Sequence, residues 1–179
     1  MKPPYTSALT ALRLPDRLAA FDPVVIGTPP LNLAIESSDI DIACSAPELA
    51  VFSAFVQSEF GDQTGFALRP VTHLPDPAMV AGFVAQGWQI ELFCQNLPTR
   101  EQWGVRHFYI EKRLLGLAPR LRDAVLRLKQ LGLKTEPAFA QLLDLPGDPY
   151  AALLGLESWS EAQLKALLAS QGFDRIDRI

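Results

Sequence analysis

The sequence predicts an α/β (α+β) protein, β-rich with one helix through residue 97 and helical from there to the end. Three observations carry this reading. Short apolar runs bounded by Gly, Pro and Asp fill the first half. Two strand-like segments, Met79 to Ala85 and Trp88 to Gln95, flank a two-residue Gln86-Gly87 turn, the signature of a hairpin. Beyond Thr99 the apolar period lengthens to that of helices, with recurrent start and stop residues. The expected organisation is an α/β core over 1–97 and a helical subdomain over 98–179 packed on that core.

From the N-terminus, Leu9, Leu12 and Leu18 have helical spacing, but Pro15 interrupts them, giving two short helical pieces. Pro23 to Thr28 reads as a buried strand, stopped by Gly27 and by Pro29-Pro30, which cannot continue a central strand. Leu31, Leu33 and Ile35 then alternate with smaller or polar residues, and Asp39 to Cys44 reads as a further strand. Ser45 and Glu48 have capping-box spacing before Leu49, Phe52, Val56 and Phe60, a helix that stops at Gly61. Gly65 to Thr72 is β-rich and precedes the hairpin.

In the helical half, Thr99 and Gln102 have the spacing of a capping box for a helix to about Leu115, with Gly116 after it. A second helix starts at Pro119 and stops before Gly132, with Leu121, Ala124, Val125 and Leu128 on its apolar face. Three shorter helices follow: Pro137 to Leu143, Pro149 to Leu154 behind Asp148, and Glu161 to Ser170 behind Ser160 and Gln163.

Composition narrows the function. At 179 residues, 49% hydrophobic and 20% charged, the chain can bury a core and is not the composition of a disordered chain. No apolar run approaches the ~20 residues of a membrane span, so a cytoplasmic protein without a membrane partner is expected. Cys44 and Cys94 form neither a disulfide framework nor a CxxC pair. A net charge of −4 is the wrong sign for holding a long phosphate backbone, which disfavours nucleic acid. Lys112 to Lys134 is locally basic at +6, read as the solvated face of helices, with a small phosphorylated ligand as the alternative.

The most informative segment is Val25-Ile26-Gly27-Thr28, ten intervening residues, then Asp39-Ile40-Asp41-Ile42. Positions i and i+2 of a strand share a side, so Asp39 and Asp41 can present two carboxylates to a hard cation or a metal pair. Gly27 permits close backbone approach to a phosphate, and the Thr28 hydroxyl can hold phosphoryl oxygens. A third acid, Glu91, sits within the otherwise apolar strand Gln89-Ile90-Glu91-Leu92-Phe93. The bland alternative leaves all three acids on a solvated face.

These residues resemble the DNA polymerase beta-type nucleotidyltransferase superfamily, whose signature is hydrophobic-Gly-Gly/Ser, a spacer, then Asp-hydrophobic-Asp/Glu. Longer strings are similar to one uncharacterised bacterial branch of it, catalogued as a domain of unknown function: Ser38-Asp39-Ile40-Asp41-Ile42, Ile90-Glu91-Leu92-Phe93, Arg106-His107, the run from Gly132 to Ala140, and Gly147-Asp148-Pro149-Tyr150. The resemblance spans about residues 20–170. It implies a mixed nucleotidyltransferase-type sheet flanked by helices, with a helical C-terminal half closing over a nucleotide.

It further implies that Asp39, Asp41 and Glu91 ligate Mg²⁺ or Mn²⁺ and carry catalysis. Gly27, Thr28 and Ser38 would bind the substrate nucleoside triphosphate, and Arg106 would neutralise its charge. The acceptor would be a small molecule or a protein. Thr28 departs from the usual Gly or Ser, and Pro29-Pro30 removes two N–H donors from the loop. The alternative is a catalytically silent nucleotide-binding or protein-interaction module that retains the fold. His107, spaced with Trp103, Ile110 and Leu114, reads as a core histidine, His73 as a loop residue, and the two cysteines as small apolar groups.

Overall fold

β1 (Val24–Ile26), β2 (Ile40–Ser45), β3 (Thr64–Val71), β4 (Ala78–Ala85) and β5 (Trp88–Gln95) form one mixed sheet in the order β1-β2-β5-β4-β3. The structure, a computed structural model, describes residues 2–174. It divides into two units. One comprises Glu36–Val105 with the chain up to Pro30, the other Leu31–Ile35 with the chain from Arg106 onward.

The expected hairpin joins β4 to β5. Gln86 and Gly87 have φ of +53° and +75°, the pair of left-handed residues whose twist matches two antiparallel strands. The turn fixes the register from Ala85↔Trp88 to Ala78↔Gln95. β2 and β5 are parallel, because α3 (Leu49–Phe60), β3 and β4 intervene between them. β1 runs antiparallel to β2, and β3 antiparallel to β4.

Strand alternation separates the two faces. Ile40, Ile42 and Cys44 of β2 and Ile90, Leu92 and Cys94 of β5 are fully buried. They pack with Phe52, Val56 and Phe60 of α3, residues at four-residue spacing on one helix face. Phe60 stacks on Phe83 of β4 with ring centroids 5.0 Å apart. Leu14, Leu18 and Phe21 close the same core from the N-terminal segment, where α1 (Tyr5–Leu12) and α2 (Leu14–Arg17) meet at Arg13 in a left-handed conformation. Fully burying each large apolar side chain contributes about 1.5–3 kcal/mol. The edges of the sheet are irregular: β1 has three residues, and β3 carries Pro70 and a register shift between Thr64 and Ala67.

The structure corrects several local expectations. Ser45 is the last residue of β2, and Glu48 occupies the N-cap position of α3 with no side-chain cap. The backbone demand of the strand outweighs the capping propensity of the serine. Thr99 and Gln102 form no capping box either: Thr99 donates to the Asp22 carbonyl at 2.8 Å, and Gln102 to that of Cys44 at 2.7 Å. Pro29–Leu31 is a 3₁₀ turn.

In the second unit lie α4 (Trp103–Leu117) from Arg106 onward, α5 (Leu121–Gln130), α6 (Thr135–Leu142), α7 (Pro149–Leu154) and α8 (Glu161–Ser170). Gly116 lies within α4 rather than after it. The later caps form as expected: Asp148 accepts from the Ala151 N–H, and Ser160 and Gln163 make a reciprocal capping box. α6 packs on α5 and α7, and Leu31 and Leu33 are buried.

Candidate functional site

β2 and β5 bring Asp41 and Glu91 together. The two residues are direct register partners on adjacent parallel strands, so both project from the sheet face opposite the main core. Each is partly exposed between fully buried neighbours. Asp39 lies one residue before β2 and is also partly exposed. Among the described residues, no three His, Cys, Asp or Glu side chains are grouped closely enough to form a metal cage.

Ile26, the last residue of β1, is the register partner of Asp41, which places Gly27 beside that carboxylate. Gly27 has φ of +77°, and a Cβ on it would overlap Asp41 Oδ2. Its missing side chain therefore makes room for Asp41, a reason that the sequence pattern alone did not reveal. Thr28 donates to the Ser38 hydroxyl at 3.0 Å, tying together the two ends of the connection before β2. Ser38 is buried, and its carbonyl accepts from Lys2 Nζ at 2.6 Å.

Glu91 already has a cationic neighbour. Arg69 Nη2 lies 3.2 Å from Glu91 Oε2, and both side chains are more than a third exposed. Arg106 is held differently: its Nε stands 3.0 and 3.1 Å from the two carboxylate oxygens of Glu157, and its Nη2 donates to the same group. That hydrogen bond holds the Glu157 carboxyl below its usual range. The guanidinium fork expected to meet phosphate is filled by this carboxylate.

Asp41 and Glu91 line one wall of a cavity of about 370 Å³, within the range of small-molecule sites. Its other walls are mainly apolar, from Leu74, Pro75, Phe93, Leu97 and Trp103. Gln95 Nε2 donates to the Asp76 carbonyl at 2.8 Å and anchors the 74–76 loop to the end of β5. Gln102, 1% exposed, donates to the carbonyls of Cys44 and Leu97 at 2.7 and 3.3 Å, while its Oε1 is buried without a partner.

Sequence reasoning missed Arg69, Gln102 and Trp103. Arg69 is distant in sequence from Glu91, Gln102 has the spacing of a cap, and Trp103 falls on the apolar stripe of α4 yet is 58% exposed. His107 is buried and its Nε2–H donates to the Tyr150 carbonyl at 2.9 Å, as a core histidine does. Cys44 and Cys94 are register partners three residues beyond Asp41 and Glu91. Burial pushes both thiols up, that of Cys94 to about 12, so neither is a nucleophile near neutral pH.

The comparisons with known proteins agree with this fold. Cid1 poly(U) polymerase with MgGTP bound superposes at a TM-score of 0.54, with 15% identity over 83% of this chain and 47% of that one. Its complex with the UTP analogue UMPNPP gives 0.51, with 18% identity over 79% and 46%. A cytoplasmic RNA terminal U-transferase gives 0.52, with 16% identity over 83% and 44%. This chain thus spans about half the length of the solved structures that it matches, and the likeness is one of nucleotidyltransferase-like α/β fold. No curated protein matches it. No helix among the described residues is long and apolar enough to cross a membrane. The family described as domain of unknown function DUF4269 matches residues 7–156, and the chain belongs to it.

Proposed function

We propose that this protein is a divalent-metal-dependent nucleotidyltransferase, moving a nucleoside monophosphate from a nucleoside triphosphate to a small-molecule or protein acceptor. The observation that carries the reading is the in-register Asp41 and Glu91 pair, walled by Gly27 and opening on a cavity of ligand size. The fold shared with an enzyme solved with MgGTP and with a UTP analogue supports it. The residues fit a hard cation, since both carboxylates are partly exposed oxygen donors on one face.

Asp41 and Glu91 would hold Mg²⁺ or Mn²⁺, and Asp39, one residue before β2, would add negative charge beside them. When bound, the ion supplies charge neutralisation for the triphosphate. Glu91 would take the proton of the acceptor hydroxyl as its oxygen bonds to the α-phosphorus and pyrophosphate leaves with the electrons of the broken P–O bond. Gly27 fixes the position of Asp41, while the Thr28–Ser38 bond steadies the substrate-facing connection. Arg106 is left out, because Glu157 fills its donor fork.

A second reading, a silent module that keeps the fold, is favoured by Arg69, whose guanidinium already neutralises Glu91. Calorimetric titration of ATP, GTP and UTP, with and without Mg²⁺ or Mn²⁺, separates the two when followed by pyrophosphate release. The enzyme reading expects metal-dependent binding, lost in Asp39→Asn/Asp41→Asn, and turnover with some acceptor. Metal-dependent binding without pyrophosphate release across small-molecule, protein and RNA acceptors supports the module. Absence of binding overturns the enzyme and the nucleotide-binding module, and leaves a protein-interaction module.

A further inference from the structure

The cavity beside Asp41 and Glu91 has a charge pattern that identifies its second occupant. Four carboxylate residues line it, namely Asp41, Asp76, Glu91 and Glu101, and no Lys, Arg or His is among the lining residues. If Asp41 and Glu91 serve a metal, Asp76 and Glu101, both exposed, remain as further acids among the lining residues. Two aromatic residues, Phe93 and Trp103, share the walls, and the negative faces of aromatic rings attract organic cations. Leu74, Pro75 and Leu97 add apolar surface for a hydrocarbon body.

An independent feature points the same way. Gln102 lines this cavity, and its Oε1 is buried with no hydrogen-bond partner, although its amide nitrogen is satisfied twice. Those two carbonyls fix the amide orientation, because a carbonyl can only accept. An unsatisfied buried acceptor is unfavourable, and a ligand that brings an N–H or O–H donor relieves it. A carboxylate-bearing or phosphate-rich ligand brings the wrong charge for the acidic lining.

We propose that the acceptor is a small cationic amphiphile, with an ammonium group drawn by Asp76 and Glu101, an aromatic or aliphatic body against Phe93, Leu97 and Trp103, and a hydroxyl directed to the Asp41–Glu91 wall. This rests on the nucleotidyltransferase reading for the reaction but not for the binding. An RNA 3′ end, whose phosphates would meet the same carboxylates, is the competing occupant.

The test uses the full chain and three probes of matched shape, titrated by NMR at constant ionic strength. They are phenylalaninol (cationic), N-acetylphenylalaninol (neutral) and phenyllactate (anionic), with a short uridine-ended RNA as a fourth arm. The expected result is saturable binding of phenylalaninol, on the order of millimolar, at least roughly tenfold tighter than either analogue. Asp76→Asn/Glu101→Gln should weaken phenylalaninol by roughly tenfold and leave the neutral analogue unchanged. Gln102→Leu should weaken phenylalaninol and N-acetylphenylalaninol, both of which bring an N–H donor.

Equal or tighter binding of the neutral, anionic or RNA probe overturns the proposal, as does an unchanged affinity in the double variant or no saturable binding at all. Nucleotide titration of the same samples keeps the two readings apart. Cation binding without nucleotide binding leaves this site standing and removes the nucleotidyltransferase reading, while the converse removes this inference alone.

Discussion

Gly27 and Asp41 stand so close that one methyl group on the Gly27 Cα would overlap the Asp41 carboxylate. Gly27 also has φ of +77°, where an L side chain is strained. Gly27→Ala should therefore lose about 1–2 kcal/mol of stability and push Asp41 from its place. Urea denaturation reports the first effect. Calorimetry reports the second, as a loss of roughly tenfold or more in metal-dependent nucleotide affinity. Wild-type values in both would show that the contact is immaterial.

On the proposed reading, Arg69 would compete with a metal for Glu91, to which it is ion-paired. Arg69→Met should raise Mn²⁺ affinity roughly two- to fivefold and change stability by less than about 0.5 kcal/mol, since the pair is exposed. Mn²⁺ titration followed by water-proton relaxation checks this, and a fall in affinity would count against Glu91 as a ligand.

The Arg106–Glu157 pair predicts an acid-dependent loss of stability. Glu157 is held below its usual pKa, first by the Arg106 hydrogen bond. Its contribution is thus present above the ordinary carboxylate range and disappears as pH falls through the lowered folded value. Glu157→Gln should cost under about 1 kcal/mol at pH 7, because both side chains are about a third or more exposed, and nothing well below pH 4. Denaturation curves at the two pH values test the difference.

Glu111 behaves oppositely. It is 5% exposed, and burial, then Glu136, drives its pKa well above the usual range, against the opposing pull of Lys129. The folded state therefore holds this proton more tightly than the unfolded chain, so its contribution is fully present below the ordinary carboxylate pKa and falls as pH rises. Glu111→Gln should raise the Tm by about 2–4 °C at pH 7 and have little effect at pH 4. An equal shift at both pH values would mean that the carboxyl does not titrate differently on folding.

Local chemistry was legible in the sequence where it acts over a few residues. The Gln86-Gly87 turn, the two N-terminal helical pieces and the Asp148 and Ser160 caps form as read, although the break between the two pieces falls at Arg13 and Pro15 lies in the first turn of α2. What depends on distant partners was not. Asp41 and Glu91 are 50 positions apart, and their alignment follows from the parallel β2–β5 register that only the crossover creates. The basic stretch 112–134 is largely exposed as read, at Lys112, Arg113, Arg120, Arg127 and Lys134, but Arg113 also donates to the Glu157 and Trp159 carbonyls, Arg122 to that of Leu31, and Lys129 is buried against Thr135. Charge counting cannot foresee which cations satisfy backbone acceptors.

The irregular borders of the sheet bear on how copies of this chain can meet. A border strand recruits another chain when it offers an unbroken row of free N–H and C=O groups. β1 is too short for such a row, and Pro70 and the register shift interrupt the one on β3. Continuous backbone addition is thereby discouraged at both sides, and self-association, where it occurs, must be written in side chains, which selection can tune one residue at a time.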